Sequence, residues 1–163
     1  MWGRGFQIQA PPSCRYGLGG ILVDVMMTTS TAMGFSDPWY PEAFSSAEPM
    51  TLPNGLTVKV VRPAFFLATK LNAWRDRGEG DYYGSKDLED ILAVIDGRPA
   101  LLDEVRQSSD AVKAFLAKEF AALLNVQTFL DAIPGHLGGD TIAHTRAEMA
   151  VGVMRQIVEL GRE

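Results

Sequence analysis

The spacing of apolar residues changes at Pro63, and this change constrains the fold more than any other feature of the chain. Before Pro63 the apolar residues fall in short runs separated by glycine and proline, which is typical of strands and loops. After Pro63 they recur every three or four residues, which predicts amphipathic helices. Strands first and helices afterwards indicate the α+β class, with a small mixed or antiparallel sheet followed by a helical C-terminal part.

The first 62 residues contain signals for a strand, a loop and a hairpin. The run GILVDVM (20–26) is almost entirely apolar and partly β-branched, which predicts a strand buried on both faces. The prolines and aromatic residues of 34–49 predict an irregular loop. Asn54-Gly55 lies between β-like flanks in 50–63, and this dipeptide is a strong hairpin signal.

Capping residues and apolar periodicity predict a series of helices after Pro63. The first covers 64–77, and the second begins after Ser85 and ends near Ile95. A short helix over 99–107 precedes one over 111–124, which Ser109 or Asp110 caps. Another short helix in 128–140 meets a Pro/Gly break. The last runs from about 141 to 160, with an apolar stripe made of Ile142, Met149, Val153, Ile157 and Leu160.

Composition bounds the class of protein. The 163 residues fit one domain (1–163), and 47% hydrophobic with 21% charged residues is ordinary for a globular chain. A net charge of −5 argues against a protein that mainly coats nucleic acid. We find no apolar run of membrane-spanning length and no signal-peptide core, so no membrane partner is expected. Cys14 alone allows no internal disulfide, so we expect a buried thiol and a cytoplasmic location.

Lys70 raises the first functional question, because it lies on the apolar side of its helix. A step of about 100° per residue places it inside the arc of Phe66, Leu67, Leu71 and Trp74, with Asn72, Arg75 and Asp76 on the far side. An unpaired buried ammonium is costly. Lys70 must therefore extend to water, meet an anionic ligand such as phosphate, or pair with a carboxylate.

Two carboxylates raise similar questions. Asp87 borders the buried arc of the next helix, which consists of Leu88, Ile91, Leu92 and Ile95. Asp87 could complement the helix dipole, serve a cleft, or form an ion pair with Lys70, and these alternatives stay open. Asp24 interrupts an apolar strand, where it either turns outward or faces a cleft as a ligand for Mg²⁺.

The segments VDVM, LATKLNAWRDRGEGD and SKDLEDILAVIDGR together resemble nucleotidyltransferase-fold proteins of the AbiEii/AbiGii abortive-infection toxin group. The resemblance covers roughly residues 15–137. It implies Mg²⁺-dependent transfer of a nucleotide from a nucleoside triphosphate to an RNA or protein acceptor. It also implies that Asp24 is a metal-binding strand carboxylate, Lys70 a triphosphate contact, and Asp87 the acid of the helix motif. Arg77 and Asp90 are further candidates for substrate binding.

One part of the family pattern is missing. No Gly-Ser followed by paired aspartates precedes Asp24, and we interpret GLGG (17–20) as a turn into the strand. The chain is therefore expected to lack the first lobe of the fold. One carboxylate does not hold two Mg²⁺ ions, so transfer is expected to be impaired unless a complementing chain supplies the missing acids. Uncovered sheet edges would also favour homo-oligomers.

Three functions follow from these residues. The first is a nucleotidyltransferase-like protein of the toxin–antitoxin type, with an antitoxin protein as a further partner. The alternative is a non-catalytic remnant or partner subunit that binds nucleotide or another chain through the same cleft. The third is a domain in which Lys70 and Asp87 merely pair.

Other residues with chemical potential have simpler interpretations. The aromatic residues Phe35, Trp39, Tyr40 and Phe44 could stack a base, but such a loop more often packs on its own prolines. Arg75, Arg77 and Arg98 could contact acceptor phosphates, but arginines at helix ends are usually solvated. His136 and His144 show no metal-ligand spacing and are treated as structural.

Overall fold

Antiparallel strands precede Pro63 and helices follow it, so the predicted α+β class is confirmed. The computed structural model describes residues 7–8, 15–18, 21–24, 37–77 and 80–162. The strands in these ranges are β1 (Gln7–Ile8), β2 (Arg15–Leu18), β3 (Ile21–Asp24), β4 (Glu48–Thr51) and β5 (Thr57–Val60). The helices are α1 (Tyr40–Ser45), α2 (Pro63–Arg77), α3 (Lys86–Gly97), α4 (Leu101–Arg106), α5 (Asp110–Leu124), α6 (Gln127–His136) and α7 (Ala143–Leu160). Cys14 and Phe35 lie outside the described residues.

Strand β3 forms where the sequence predicts a strand, but the predicted burial is wrong. The sheet has the order β1-β2-β3, and all its pairings are antiparallel. Among the described strands β3 lies at an edge of the sheet, and Ile21 and Leu22 are 65% and 59% exposed. β-branched and apolar composition reports strand propensity, whereas burial depends on what covers the strand. The flanking positions 20, 25 and 26 of the predicted strand lie outside the described residues.

The predicted hairpin at Asn54-Gly55 is confirmed. β4 and β5 pair antiparallel with Glu48 opposite Val60. Gly55 has a φ of 84°, a left-handed conformation that glycine adopts without a steric penalty. The Asn54 side chain accepts a hydrogen bond of 3.0 Å from the backbone amide of Leu56, which closes the turn.

The prediction of an irregular loop over 34–49 is wrong within its described part, because α1 forms there and β4 begins at Glu48. Pro41 lies in the first turn of α1, where the missing amide hydrogen of proline leaves no helical hydrogen bond unmade. The Asp37 carboxylate accepts a 2.8 Å hydrogen bond from the backbone amide of Trp39 at the start of this helix. Proline thus starts a helix here instead of excluding one.

The predicted helices after Pro63 are confirmed, and they build the hydrophobic core. The predicted break at Pro134-Gly135 is wrong, because α6 continues through both residues to His136. α2 packs on α3 and α5, and α5 packs along α7, with α4 and α6 against the sides of this group. Each fully buried leucine or phenylalanine contributes about 1.5–3 kcal/mol to folding. The largest fully buried side chains include Leu67, Leu71, Leu88, Ile91, Leu92, Leu116, Phe120, Phe129, Met154 and Ile157. None of the helices in the described ranges combines the length and hydropathy that a bilayer crossing requires.

The predicted apolar stripe of α7 is only partly correct. Ile157 and Leu160 are buried, whereas Ile142 is exposed and Met149 is 67% exposed. The buried face consists instead of Ala143, Ala147, Ala150, Met154, Ile157, Val158 and Leu160. Small alanine side chains let α7 approach its neighbours closely, so packing distance decides which face is buried here.

Candidate functional site

The C-terminal half of α2 places Lys70 and Arg77 beside the first turn of α3. Burial of Leu67 and Leu71 fixes the rotation of α2 against the core. The Lys70 ammonium, on a side chain that is 26% exposed, lies 3.2 Å from Asp87 Oδ1 and 2.5 Å from Asp90 Oδ2. Both carboxylates come from α3. The ion-pair alternative for Lys70 is therefore confirmed.

The start of α3 explains how Asp87 reaches this position. The Ser85 hydroxyl accepts a hydrogen bond of 3.3 Å from the amide of Leu88, so Ser85 is the predicted N-cap. Leu88 is fully buried, which turns the adjacent Asp87 toward α2. There Arg77 forms a bidentate contact, with Nε 3.0 Å from Asp87 Oδ2 and Nη2 3.0 Å from Asp87 Oδ1. Paired hydrogen bonds of this kind are among the strongest that a carboxylate accepts.

The electrostatics of these groups follow from burial and pairing. Burial acts to raise the pKa of Asp87, but hydrogen bonds from Arg77 and Lys70 outweigh it and lower this pKa. Burial acts to lower the pKa of Lys70, yet its hydrogen bonds to Asp90 and Asp87 raise this pKa. The hydrogen bond to Asp87 also raises the pKa of Arg77. Lys70, Arg77 and Asp87 are therefore all charged at neutral pH.

We call Lys70, Arg77, Asp87 and Asp90 the α2–α3 cluster. A cavity of about 290 Å³ lies beside it, lined by Arg77, Asp81, Ser85, Lys86 and Asp87. The Arg77 side chain is 69% exposed, so its guanidinium both pairs with Asp87 and faces the cavity. This volume is at the low end for ligand pockets, which suits a phosphate group better than a whole nucleotide.

Asp24 lies at the end of β3, exposed and in register with Arg15 of β2. The structure brings Lys70 and Arg77 of α2 together with Asp87 and Asp90 of α3. The convergence of Asp24 with this group stays a prediction. In the described part of the chain, no group of three or more His, Cys, Asp or Glu side chains is placed to hold a metal ion by itself.

A second polar network was missed by sequence reasoning. The helical rotation placed Asn72 on the far side of α2, but Asn72 is buried and donates a 3.1 Å hydrogen bond to Asp37. Its side-chain oxygen accepts a bond of 2.7 Å from Arg75, which also pairs with Glu119 of α5. Burial raises the pKa of Asp37 against the opposing hydrogen bonds from Trp39 and Asn72. The segment before α1 covers this side of α2, and no local sequence signal announces that contact.

The remaining candidates have structural contacts. The Trp39 ring packs on Phe115 of α5 with a centroid distance of 5.1 Å, whereas Phe44 is exposed. Packing of this segment on its own prolines stays a prediction. Arg98 pairs with Glu104, and a ring nitrogen of His136 lies 2.7 Å from the carbonyl oxygen of Tyr82. These contacts hold neighbouring elements together.

Comparison of the chain with protein-family models, with curated proteins and with solved structures finds no match. Any function for the α2–α3 cluster therefore has to be argued from its own chemistry and from the sequence resemblance.

Proposed function

We propose that this chain is a nucleotidyltransferase-like protein of the abortive-infection toxin type. It binds the magnesium complex of a nucleoside triphosphate at the α2–α3 cluster and transfers a nucleotide to an RNA or protein acceptor. The observation that carries the proposal is the α2–α3 cluster itself, in which Asp87 pairs with both Lys70 and Arg77, and Arg77 lines an open cavity.

The exposure of Arg77 supports phosphate binding. Its planar guanidinium has more donors than the two it gives to Asp87, and it faces the cavity. Lys86 lines the same cavity, and Ser85 begins α3 there, so the positive end of a 12-residue helix adds to the field. The phosphates would therefore contact Arg77 in the cavity, while Lys70 contacts Asp87 and Asp90 outside the cavity lining.

The charge balance of the cluster supports a role for Mg²⁺. Two cations, Lys70 and Arg77, face two carboxylates, Asp87 and Asp90, so the formal charges cancel. A triphosphate brings about four negative charges, and it is accepted more readily with a divalent cation that neutralises part of them. Mg²⁺ takes one or two carboxylates plus ligand phosphates, and Asp90, half-exposed, fits that donor set. Asp24 is the other candidate ligand, by resemblance.

Each residue then has a role of its own. Lys70 and Arg77 attract and orient the phosphates, and Asp87 holds both cations in place through its bidentate contact with Arg77 and its contact with Lys70. Positioning of this kind provides most of the catalysis in phosphoryl and nucleotidyl transfer. RNA is the favoured acceptor class, with a protein hydroxyl as the alternative. An antitoxin or complementing chain, a homo-oligomer and a cytoplasmic location belong to the same proposal.

One observation favours a second function, nucleotide binding without transfer. Both oxygens of Asp87 accept hydrogen bonds from Arg77, and one also contacts Lys70. A carboxylate engaged in this way is a poor metal ligand until those bonds break. The chain would then bind nucleotide, or a partner chain, through the same cluster without catalysing transfer.

The test uses the purified protein with Mg²⁺, labelled nucleoside triphosphates and bulk tRNA. We expect Mg²⁺-dependent label transfer that is slow, because the first pair of metal-binding carboxylates is missing, and that Lys70→Met and Asp24→Ala abolish. Lys113→Met is the matched control, because the Lys113 side chain is 20% exposed and pairs with Asp110 within its own helix. Calorimetric binding without label transfer would establish the second function. Absence of both binding and transfer in the wild type would refute the proposal.

A further inference from the structure

The segment 80–85, between α2 and α3, forms part of the wall of the cavity beside the α2–α3 cluster. Asp81 of this segment lines the cavity, together with Arg77, Ser85, Lys86 and Asp87. The proposed function draws on the two helices and gives Asp81 no role. Asp81 nevertheless places a carboxylate in the wall of the space where Arg77 would contact phosphate.

Tyr82 holds this segment against the helices. Its ring packs on Trp74 of α2 and on the fully buried Phe129 of α6, with centroid distances of 5.4 and 6.4 Å. Its carbonyl oxygen lies 2.7 Å from a ring nitrogen of His136, at the end of α6. Because Tyr82 is the next residue in the chain, these contacts also fix the backbone of Asp81.

A local hydrogen bond fixes the Asp81 side chain. Its Oδ1 atom accepts a bond of 2.8 Å from the backbone amide of Gly84. A Cβ atom at Gly84 would lie 2.6 Å from Asp81 Oδ2, so the absence of a side chain at Gly84 leaves room for this carboxylate. Asp81 is therefore held in the cavity wall by the backbone of its own turn and not by a cation.

Asp81 differs from the other charged residues of the cavity wall in its charge balance. Arg77 pairs with Asp87, and Lys86 pairs with Glu89. Asp81 forms no ion pair within the described residues, so no opposite charge at close range offsets its own. An anion that enters the cavity therefore meets this negative charge as well as the guanidinium of Arg77.

The charge of Asp81 acts differently on the two forms in which a phosphate chain reaches the site. A bare triphosphate carries about four negative charges, and repulsion from a fixed carboxylate weakens its binding. A divalent cation bound to the same phosphates cancels about half of that charge, so the repulsion is smaller. The carboxylate of Asp81 thus penalises the bare form more than the complexed form.

We propose that Asp81 is a specificity-determining residue of this site, which excludes bare phosphate chains and admits those complexed with a divalent cation. The inference rests on the proposed function and deepens it, because it states the form in which the ligand is accepted. It commits Asp81 to repulsion of the uncomplexed anion, not to coordination of the cation.

Calorimetry with inorganic tripolyphosphate tests this role, in metal-free buffer and in buffer with Mg²⁺. Asp81→Asn removes the charge and keeps a side-chain oxygen that accepts the hydrogen bond from Gly84. We expect Kd in metal-free buffer to fall about tenfold or more, whereas Kd with Mg²⁺ should change by less than about threefold. Binding by the variant should thus depend much less on Mg²⁺ than binding by the wild type.

Two further variants complete the comparison. Asp103→Asn is the matched control, because it removes the same charge from a side chain on α4 that is 73% exposed and pairs with Arg106 of the same helix. Its two Kd values should equal those of the wild type. Asp81→Ser also removes the charge, and its hydroxyl can accept the Gly84 hydrogen bond. It should reproduce the effect of Asp81→Asn, and it replaces that variant if circular dichroism shows that Asp81→Asn does not fold.

The outcomes separate this inference from the proposed function. If Kd in metal-free buffer is unchanged in the variants, or falls equally in both buffers, the role of Asp81 is wrong and the proposed function stands. If binding weakens only with Mg²⁺, Asp81 coordinates the cation, and the inference is again overturned. If the wild type binds neither tripolyphosphate nor adenosine triphosphate with Mg²⁺, both proposals fail.

Discussion

One glycine at the end of α7 and one in its middle allow a matched test of how closely α7 approaches α5. Gly161 follows α7 with a φ of −85°, which any residue can adopt, so backbone strain does not complicate its replacement. A Cβ atom at Gly161 would lie 2.3 Å from the Cβ of Ala117 and 2.8 Å from the carbonyl oxygen of Lys113. A Cβ atom at Gly152, inside α7, would meet nothing within 4 Å.

The expected energies follow from these distances. Carbon atoms in contact prefer about 3.5–4.0 Å, so Gly161→Ala forces α7 and α5 apart by more than about 1 Å. Overpacking of this kind costs about 1–3 kcal/mol, and the reduced freedom of the unfolded chain offsets about 0.4–1 kcal/mol of that. We expect a net loss of about 1–2 kcal/mol. Gly152→Ala should instead stabilise the protein by about 0.5–1 kcal/mol, the difference in helix propensity.

Urea denaturation monitored by circular dichroism measures both effects. The midpoint should fall for Gly161→Ala and rise for Gly152→Ala without a change in m, because neither substitution alters the surface exposed on unfolding. The thermal midpoint should move by about 2–4 °C per kcal/mol for a chain of this size. Equal stability of Gly161→Ala and the wild type would show that the helices do not approach as described. Destabilisation by Gly152→Ala would contradict the open space on that face.

Further predictions concern ion pairs. Arg146→Ala should lower the thermal midpoint more than Arg155→Ala, an exposed control, because Arg146 bonds both Asp96 oxygens and the Leu137 carbonyl. Asp87 has a lowered pKa, so its stabilisation is present above the unfolded pKa of about 4 and lost as pH falls through the folded pKa. The penalty of Asp87→Ala in urea should therefore be larger at pH 7 than at pH 3. Asp37 has a raised pKa, so its stabilisation is lost as pH rises, and the penalty of Asp37→Ala should be larger at acid pH.

Local rules account for the parts of the fold that the sequence predicted correctly. The Asn54-Gly55 turn requires a residue in the left-handed conformation, which Gly55 provides. Ser85 caps α3 by accepting a hydrogen bond from the amide of Leu88, only three residues ahead. The apolar arc of α3 follows from the helical period alone, and Leu88 is indeed buried. In each case the deciding interaction lies within a few residues.

The errors arise where a distant element decides the outcome. The side chains of β3 are exposed on both faces of the sheet, which the apolar composition of the strand does not encode. Met149 is exposed because alanines form the close face of α7. Asn72 is buried because the segment bearing Asp37 folds over α2 from more than thirty residues away. Sequence periodicity predicts the buried face of an element from the positions of its large apolar side chains. In the structure, the buried face is the one against which other elements pack.

The same distinction explains how much of the candidate site was predictable. Lys70 and Asp87 lie on facing arcs of consecutive helices, so their ion pair could be anticipated from the helical rotation. The bidentate geometry of Arg77 could not, since it depends on how α2 ends relative to the first turn of α3.

The Lys70–Asp87 pair is expected to add little to stability, so Lys70 can be replaced to test the proposed nucleotide site without unfolding the protein. Removing two charges from water costs several kcal/mol, and a half-buried pair recovers little of it. Asp87 keeps Arg77 when Lys70 is replaced, and methionine fills a similar volume, so Lys70→Met should change the free energy of unfolding by no more than about 1 kcal/mol. If Lys70→Met abolishes nucleotide binding while urea denaturation shows wild-type stability, the ammonium serves the ligand. If instead the variant binds normally and unfolds several kcal/mol more easily, the pair is structural and the nucleotide site lies elsewhere.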